Sequence, residues 1–380
     1  MQPHGREREV LKIAALLLLL LMAAPAQVKN SDAGKSANTR ASQGASGGQI
    51  QVPNRSATPL FKGKQGQQKT EIHFDPATRV VTLKLLVQDP QGKFIPNIKP
   101  QNFVVYENGV RQQNARVEIE QAPVSIAMLM EFGGRVPGLN RELGSEVSTA
   151  GQQFADELDH KDKLAIWEYN NKVEKLNDFS QDKLALDAIF LELGTPEISD
   201  TNLHDAVVFA LGQMKPVTGR KAIFLVSSGI DTFSKTTYEA ALNSIQGSDT
   251  PIYVLSLVPV LRQVAEIHGE TGPVAPVPWK AAERTLEEIA KVSGGRAYAP
   301  ENTVDLSPVY DDIMENIKLR YVITYRLSND RDLNSPRTVR VELVDRAGGG
   351  PLQVVDSSGK RIRAYVILQN SYIPRAAARQ

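Results

Sequence analysis

Glu131 closes an apolar run, Val124 to Met130, broken only by Ser125, and is followed by Phe132, Gly133, Gly134 and Arg135. An acid there, ahead of a short glycine loop, stands where a buried strand hands over to a helix, the crevice in which doubly wound folds hold ligands. Ser228 ends a second apolar run, His204 opens a helical pattern, and Asp205 or Asp231 is available to orient the imidazole. Nucleophile, base and orienting acid are the parts of a hydrolase. No Gly-x-Ser-x-Gly elbow surrounds Ser228, so hydrolysis through Ser228 and His204 is the minor alternative. Nucleotide binding is weaker still, because the 132–135 loop has neither a Gly-x-Gly-x-x-Gly pattern nor a phosphate-cradling Lys-Ser/Thr pair.

These residues need a scaffold, and the patterning supplies one. Val124 to Met130 lacks alternation, which predicts a central strand buried on both faces. Leu139, Leu143, Val147, Ala150, Phe154 and Leu158 recur every three or four positions and predict an amphipathic helix. Strands are expected at Lys163 to Tyr169, Val173 to Leu176, Lys221 to Val226 and Ile252 to Leu257. Helices are expected around Leu184, Ala188 and Leu191, from Leu203 to Met214, around Tyr238 to Ile245, and from Ala282 to a stop at Gly294-Gly295. The resulting order, βαββααβαβα, predicts a Rossmann-like α/β fold: a doubly wound, mostly parallel sheet covered by helices on both faces.

Before it, Val80 to Gln88, Phe103 to Tyr106 and Ala115 to Ile119 read as strands separated by Asp89-Pro90-Gln91-Gly92 and Glu107-Asn108-Gly109 turns. After it, Leu319 to Leu327, Thr338 to Val344 and Arg363 to Leu368 are strands without helices. Connections this short do not extend a parallel sheet, so the two terminal groups are expected to meet in a small flanking β domain. Tyr321 and Tyr325 share one strand face, and Trp167 and Trp279 are read as packing residues. The stretch from Pro259 to Pro278, with Val260, Leu261, Val264 and Ile267, is expected to be a long loop without regular structure that presents apolar surface.

Composition narrows the function. The 380 residues carry a formal charge of +1, which gives no electrostatic case for nucleic acid, and contain no cysteine, which excludes disulfides, thiolate metal sites and a cysteine nucleophile. Arg6, Arg8 and Lys12 precede an apolar run with leucines from Leu16 to Leu21, and Ala24-Pro25-Ala26 has the small residues of a cleavage site. A signal peptide is expected over 1–26, leaving no integral membrane span after cleavage. The expected boundaries continue with a low-complexity linker over 27–70, a β segment over 71–120, the α/β domain over 121–318, C-terminal strands over 319–370 and a flexible tail over 371–380.

The strand ending at Glu131, the Asp200-Thr201-Asn202-Leu203-His204-Asp205-Ala206 stretch, Arg220 to Thr232 and Ile289 to Tyr298 together resemble a von Willebrand factor A domain. Asp89 to Gly109 is similar to the "D-x-x-G" turn and "D-F-x-V-x-E-x-G" ending that precede this domain in the secreted bacterial VWFA-related (acidobacterial type) proteins, with Asn102 in place of the second Asp. The resemblance spans about Val80 to Leu368. It implies an adhesion-type interaction module whose crest holds a divalent cation, usually magnesium, through Asp-x-Ser-x-Ser, a Thr and a second Asp. Here Glu131 stands for the first Asp, Gly133 and Arg135 for the serines, Ser228 for the last Asp, and Thr201 alone matches.

Those departures remove two hydroxyls and one carboxylate and add a guanidinium that repels a dication. The expectation is therefore a degenerate site with no cofactor, in which an ion pair between Glu131 and Arg135 fills the space. The alternative is an altered cation site made by Glu131, Asp200, Asp231 and Thr201. On this reading the chain is a secreted or periplasmic, non-catalytic module for an unidentified protein partner. The interaction surface is expected on the crest, including the Pro259 to Pro278 loop.

Overall fold

The computed structural model describes residues 70–134, 137–267, 278–304, 306–327, 333–345, 350–355 and 359–374. The expected signal peptide, nearly all of the linker, Arg135 and the 268–277 part of the apolar loop lie outside the described residues.

The described chain opens with an antiparallel pair, β1 (Glu71–Asp75) and β2 (Val80–Gln88). Next, β3 (Phe103–Glu107) and β4 (Val110–Arg111) form a hairpin over Asn108 and Gly109, whose φ angles of 47° and 80° suit a two-residue mirror-image turn. β5 (Arg116–Gln121) leads into the α/β part: β6 (Val124–Glu131), α1 (Pro137–Asp156), β7 (Lys163–Tyr169), β8 (Val173–Ser180), α2 (Lys183–Glu192) and α3 (Leu203–Met214). It continues with β9 (Arg220–Ser227), α4 (Tyr238–Gln246), β10 (Ile252–Ser256), α5 (Val258–Ile267), α6 (Trp279–Ser293), β11 (Ala297–Tyr298) and α7 (Ser307–Lys318). The remainder is β12 (Leu319–Arg326), β13 (Arg337–Leu343), β14 (Val354–Val355), β15 (Arg361–Ile362), β16 (Tyr365–Ile367) and β17 (Ser371–Tyr372).

The central sheet has the order β11-β10-β9-β6-β7-β8. Its strands are parallel except β8, which returns antiparallel to β7. Alternation of side chains along β6 divides the interior in two. Ile126, Met128 and Met130 enter one core with Leu143, Val147 and Phe154 of α1. Ala127 and Leu129 enter the opposite core with Ala206 and Ala210 of α3 and Leu286 of α6. The uninterrupted apolar run therefore marks a strand covered on both faces. At the end of α6, Gly294 has φ 81° and stops the helix in the left-handed conformation, as its sequence context predicts.

Strands from both chain ends build the flanking β domain. One sheet runs β1-β2-β12-β5, with β16 also on β2, and another runs β17-β13-β3-β4. Val81, Leu83, Leu85, Phe103, Val105, Tyr321, Tyr325 and Val341 share its core, so the two tyrosines face inward together. Pairing continues past Asn370, since Ser371 lies opposite Thr338 and the buried Tyr372 hydroxyl donates to Glu107 Oε1 at 2.9 Å.

Two expectations are corrected. The stretch beginning at Pro259 is not irregular: α5 runs to Ile267, and Val260 and Leu261 are only 8% and 3% exposed, while Ile267 is 78% exposed. A short amphipathic helix was hidden by the prolines that follow it. In α2 the buried face is Leu186 and Phe190, whereas Leu184 and Leu191 point outward at 82% and 75% exposure. That helix is apolar on nearly every side, so periodicity alone does not select its inner face.

Candidate functional site

Glu131, Tyr169 and Ser227 end three adjacent parallel strands. Glu131 is opposite Tyr169, and Met130 is opposite Val226, which brings Ser227 and Ser228 alongside. The Glu131 carboxylate is 2% exposed and is enclosed by protein donors. Its Oε2 accepts from Tyr169 Oη at 3.1 Å, Ser227 Oγ at 2.9 Å and the Ser228 backbone N–H at 2.8 Å. Its Oε1 accepts from Ser228 Oγ at 2.6 Å. Burial pushes the Glu131 carboxyl above its usual range, and the bonds from Ser228, Ser227 and Tyr169 act against that shift. The Tyr169 hydroxyl is pushed far up, first by burial and then by Glu131.

Gly133 is sealed by its neighbours. A Cβ there would collide with Ser199 Oγ and lie 2.7 Å from Asn170 Cβ. Gly134 pairs with Ile198, and its carbonyl accepts from Ser199 N at 3.1 Å and Asn140 Nδ2 at 3.1 Å. The loop after β6 is thereby zipped to the loop before α3. Arg135, and with it the proposed Glu131 ion pair, lies outside the described residues.

Thr201 belongs to a second network one loop away. Its Oγ1 donates to Ile230 O at 2.9 Å and its N–H to Thr232 Oγ1 at 2.8 Å, while Thr232 Oγ1 donates to Asp200 Oδ1 at 2.9 Å. Asp231 accepts from the His204 N–H at 3.1 Å, capping α3 from a neighbouring loop, and is also bonded by Ser234. Asp205 accepts from Lys235 N at 2.9 Å and Thr236 N at 2.8 Å. The structure thus joins Ser228 to Glu131 directly and places Thr201 against the loop that follows Ser228. Sequence reasoning missed Tyr169 and Ser227. The first is legible only once the β6–β7 register is known, and the second is the neglected half of a Ser-Ser pair at a strand end.

A divalent cation fits this donor set poorly. Magnesium requires oxygen lone pairs in near-octahedral array, and those of Glu131 face four protein donors. The Thr201 hydroxyl proton is committed to a carbonyl, Gly133 brings no hydroxyl, and Asp200, Asp205 and Asp231 each serve a loop. Among the described residues no three Asp, Glu or His side chains converge as a metal-binding group. Hydrolytic geometry is also missing. Ser228 Oγ gives its proton to Glu131, and His204 Nδ1 lies 3.5 Å from Asp231 Oδ2 with no hydrogen bond to Ser228 among the described residues.

No family model matches the chain, and no curated protein is detectably similar to it in sequence. Solved structures resemble it at low identity. BatB from Bacteroides thetaiotaomicron is 16% identical, with 51% of this chain and 97% of that chain covered and a TM-score of 0.39. A von Willebrand factor type A protein from Catenulispora acidiphila is 12% identical over 72% of this chain and 75% of that chain, with a TM-score of 0.40. The vWF domain of the type V pili tip protein Mfa5 from Porphyromonas gingivalis is 15% identical over 52% and 95%, with a TM-score of 0.34. Scores this low carry nothing about metal or partner. The sheet itself is more telling: numbered within the α/β part its order is 3-2-1-4-5-6, with only the third strand antiparallel and helices on both faces. The fold is the Rossmann-like, doubly wound α/β fold expected from the sequence, and it agrees with the resemblance to a von Willebrand factor A domain. In this α/β domain the loops described above form the crest, at the carboxyl ends of the strands.

Proposed function

We propose that the chain is an exported, non-catalytic protein-interaction module of the VWFA-related (acidobacterial) type whose crest meets its partner without a bridging cation. The observation that carries this reading is the enclosure of Glu131. Four donors from Tyr169, Ser227 and Ser228 occupy the carboxylate oxygens that would otherwise face a metal. Of the degenerate positions, Glu131, Gly133, Thr201 and Ser228 then act as the crest's internal frame, and affinity comes from the surface over them.

Two exposed apolar side chains support a protein partner there. Ile198, on the loop zipped to Gly134, is 66% exposed, and Phe233, whose N–H bonds to Thr201 O, is 64% exposed. Buried apolar area contributes about 25 cal/mol per Å², and an aromatic anchor beside a satisfied polar frame is how interface affinity is commonly concentrated. Export is supported by the amino-terminal pattern that would release a chain beginning at Gln27. Among the described residues no helix is long and apolar enough to cross a membrane.

The test is capture of the partner from a native secretome or envelope extract, followed by surface plasmon resonance with and without EDTA. Binding is expected to survive the chelator and to weaken about tenfold or more for Phe233→Ser, an anchor loss of over a kcal/mol. Loss of binding in EDTA, with Phe233→Ser and Ile198→Ser both inert, would refute the reading.

A further inference from the structure

At the end of the α/β domain opposite the crest, the flanking β domain and the amino-terminal ends of β9 and β10 enclose a cleft of about 360 Å³. Lys84, Arg220, Lys221 and Arg320 line it, with Glu71, Glu120 and Asp249. The partners of the cations are unequal. Glu120 serves two of them, lying 3.1 Å from Lys84 Nζ and 2.7 Å from Arg220 Nη2. Lys221 donates to the Met214 carbonyl at 2.9 Å and pairs with Asp249 at 3.0 Å.

Arg320 has no such carboxylate. It is 8% exposed, and its Nη1 donates only to backbone carbonyls, those of Asn316 at 2.8 Å and Leu319 at 2.6 Å being the shorter contacts. Among the described residues no acid pairs with it; Glu120 and the exposed Glu71 act on it only through longer-range attraction. Arg220 has a second deficit: its Nη1 is buried without an acceptor among the described residues. Burial first, and then the charge of Arg220, lower the Arg320 guanidinium to about 10. Holding two desolvated guanidiniums beside each other is costly, and an anion between them reverses that cost.

We infer that this cleft is a binding site for a small oxyanion-bearing molecule, a carboxylate or a phosphate, gripped by Arg320 and Arg220. A guanidinium presents paired N–H donors that match either group, and the volume is that of a small-ligand pocket. The site is separate from the crest and lies where the two β systems meet. Its occupant would touch β2 of the flanking domain through Lys84, and β9 and β12 through Arg220 and Arg320, while Glu120 of β5 keeps its pairs with Lys84 and Arg220. That inference does not depend on how the crest meets its partner.

The experiment uses inorganic phosphate and succinate as probes on the full chain, with sodium chloride matched for ionic strength. Calorimetry should show saturable binding of at least one probe near one site per chain, with a rise in melting temperature that chloride does not give. Arg320→Lys keeps the charge but removes the fork, and Arg220→Gln leaves Arg320 intact; each should weaken binding about tenfold. Should either variant fail to fold, side-chain NMR of the wild-type arginines decides, because the Nη resonances of Arg320 and Arg220 should move with the same titration. A stronger response to phosphate than to succinate assigns a phosphate-bearing ligand, and the reverse a carboxylate. No saturable binding of either probe, unchanged binding in both folded variants, or arginine resonances that stay still would overturn the assignment.

Discussion

Glu131 is the residue on which the crest turns. Tyr169 Oη, Ser227 Oγ and Glu131 Oε2 lie within 3.1 Å, 2.8 Å and 2.9 Å of one another pairwise. Burial raises the pKa of this carboxyl, so its proton is held more tightly in the folded state than in the unfolded chain. The sign of the linkage follows. The folded state keeps this proton to higher pH than the unfolded chain, whose value is near 4.5, so the wild type loses stability as pH rises from there toward the folded pKa. Glu131→Gln cannot titrate. Denaturant unfolding across that window should show the wild type losing ground to the variant as pH rises, and a pH-independent difference would count against the buried acid. Gly133 makes a second prediction at this scale. A side chain there meets Ser199 and Asn170, so Gly133→Ser should cost about 1–3 kcal/mol by overpacking, and Ser199→Gly in the same chain should recover part of it. A hydroxyl cannot simply be restored at this position.

At the scale of elements, α5 separates packing from binding. Val260→Ser and Leu261→Ser should each destabilise by about 2–4 kcal/mol because they hollow the core beneath the helix, while Ile267→Ser should stay within about 0.5 kcal/mol. Thermal melts of the three variants check this, and equal melting temperatures would put Val260 and Leu261 at the surface. The same helix shows what a chain lets one read. Strands such as β6 and β9 were legible because continuous apolar runs admit few other fates, and α1 because six positions hold one stripe. The turn at Asn108-Gly109 was legible from its residues, whereas the two-residue strand β4 that it pairs with β3 was not. What stayed illegible depends on neighbours distant in sequence: which face of the apolar α2 turns inward, that Glu131 would meet Tyr169 across a register, and that Gly133 is required by Ser199 and Asn170 rather than by its own backbone.

Across the whole molecule, α7 passes into β12 without an intervening residue, so one rigid segment belongs to both the α/β domain and the flanking domain. Hydrogen bonds fix the junction. Asn316 Oδ1 accepts from the Phe94 N–H at 3.0 Å, and Tyr321 Oη accepts from the Ile98 N–H at 3.0 Å and donates to Ile95 O at 2.9 Å. Tyr321→Phe strands a buried N–H and a buried carbonyl and should cost about 1–3 kcal/mol, read by denaturant unfolding. A loss below a few tenths would mean that the 94–98 loop is held by packing alone. The proposed reading of the molecule is that its crest meets a partner without a cation. Titration of magnesium into the folded, full-length chain by isothermal calorimetry tests it most directly. No saturable heat and no magnesium-dependent rise in melting temperature are predicted, whereas one-to-one binding at micromolar affinity would contradict the account.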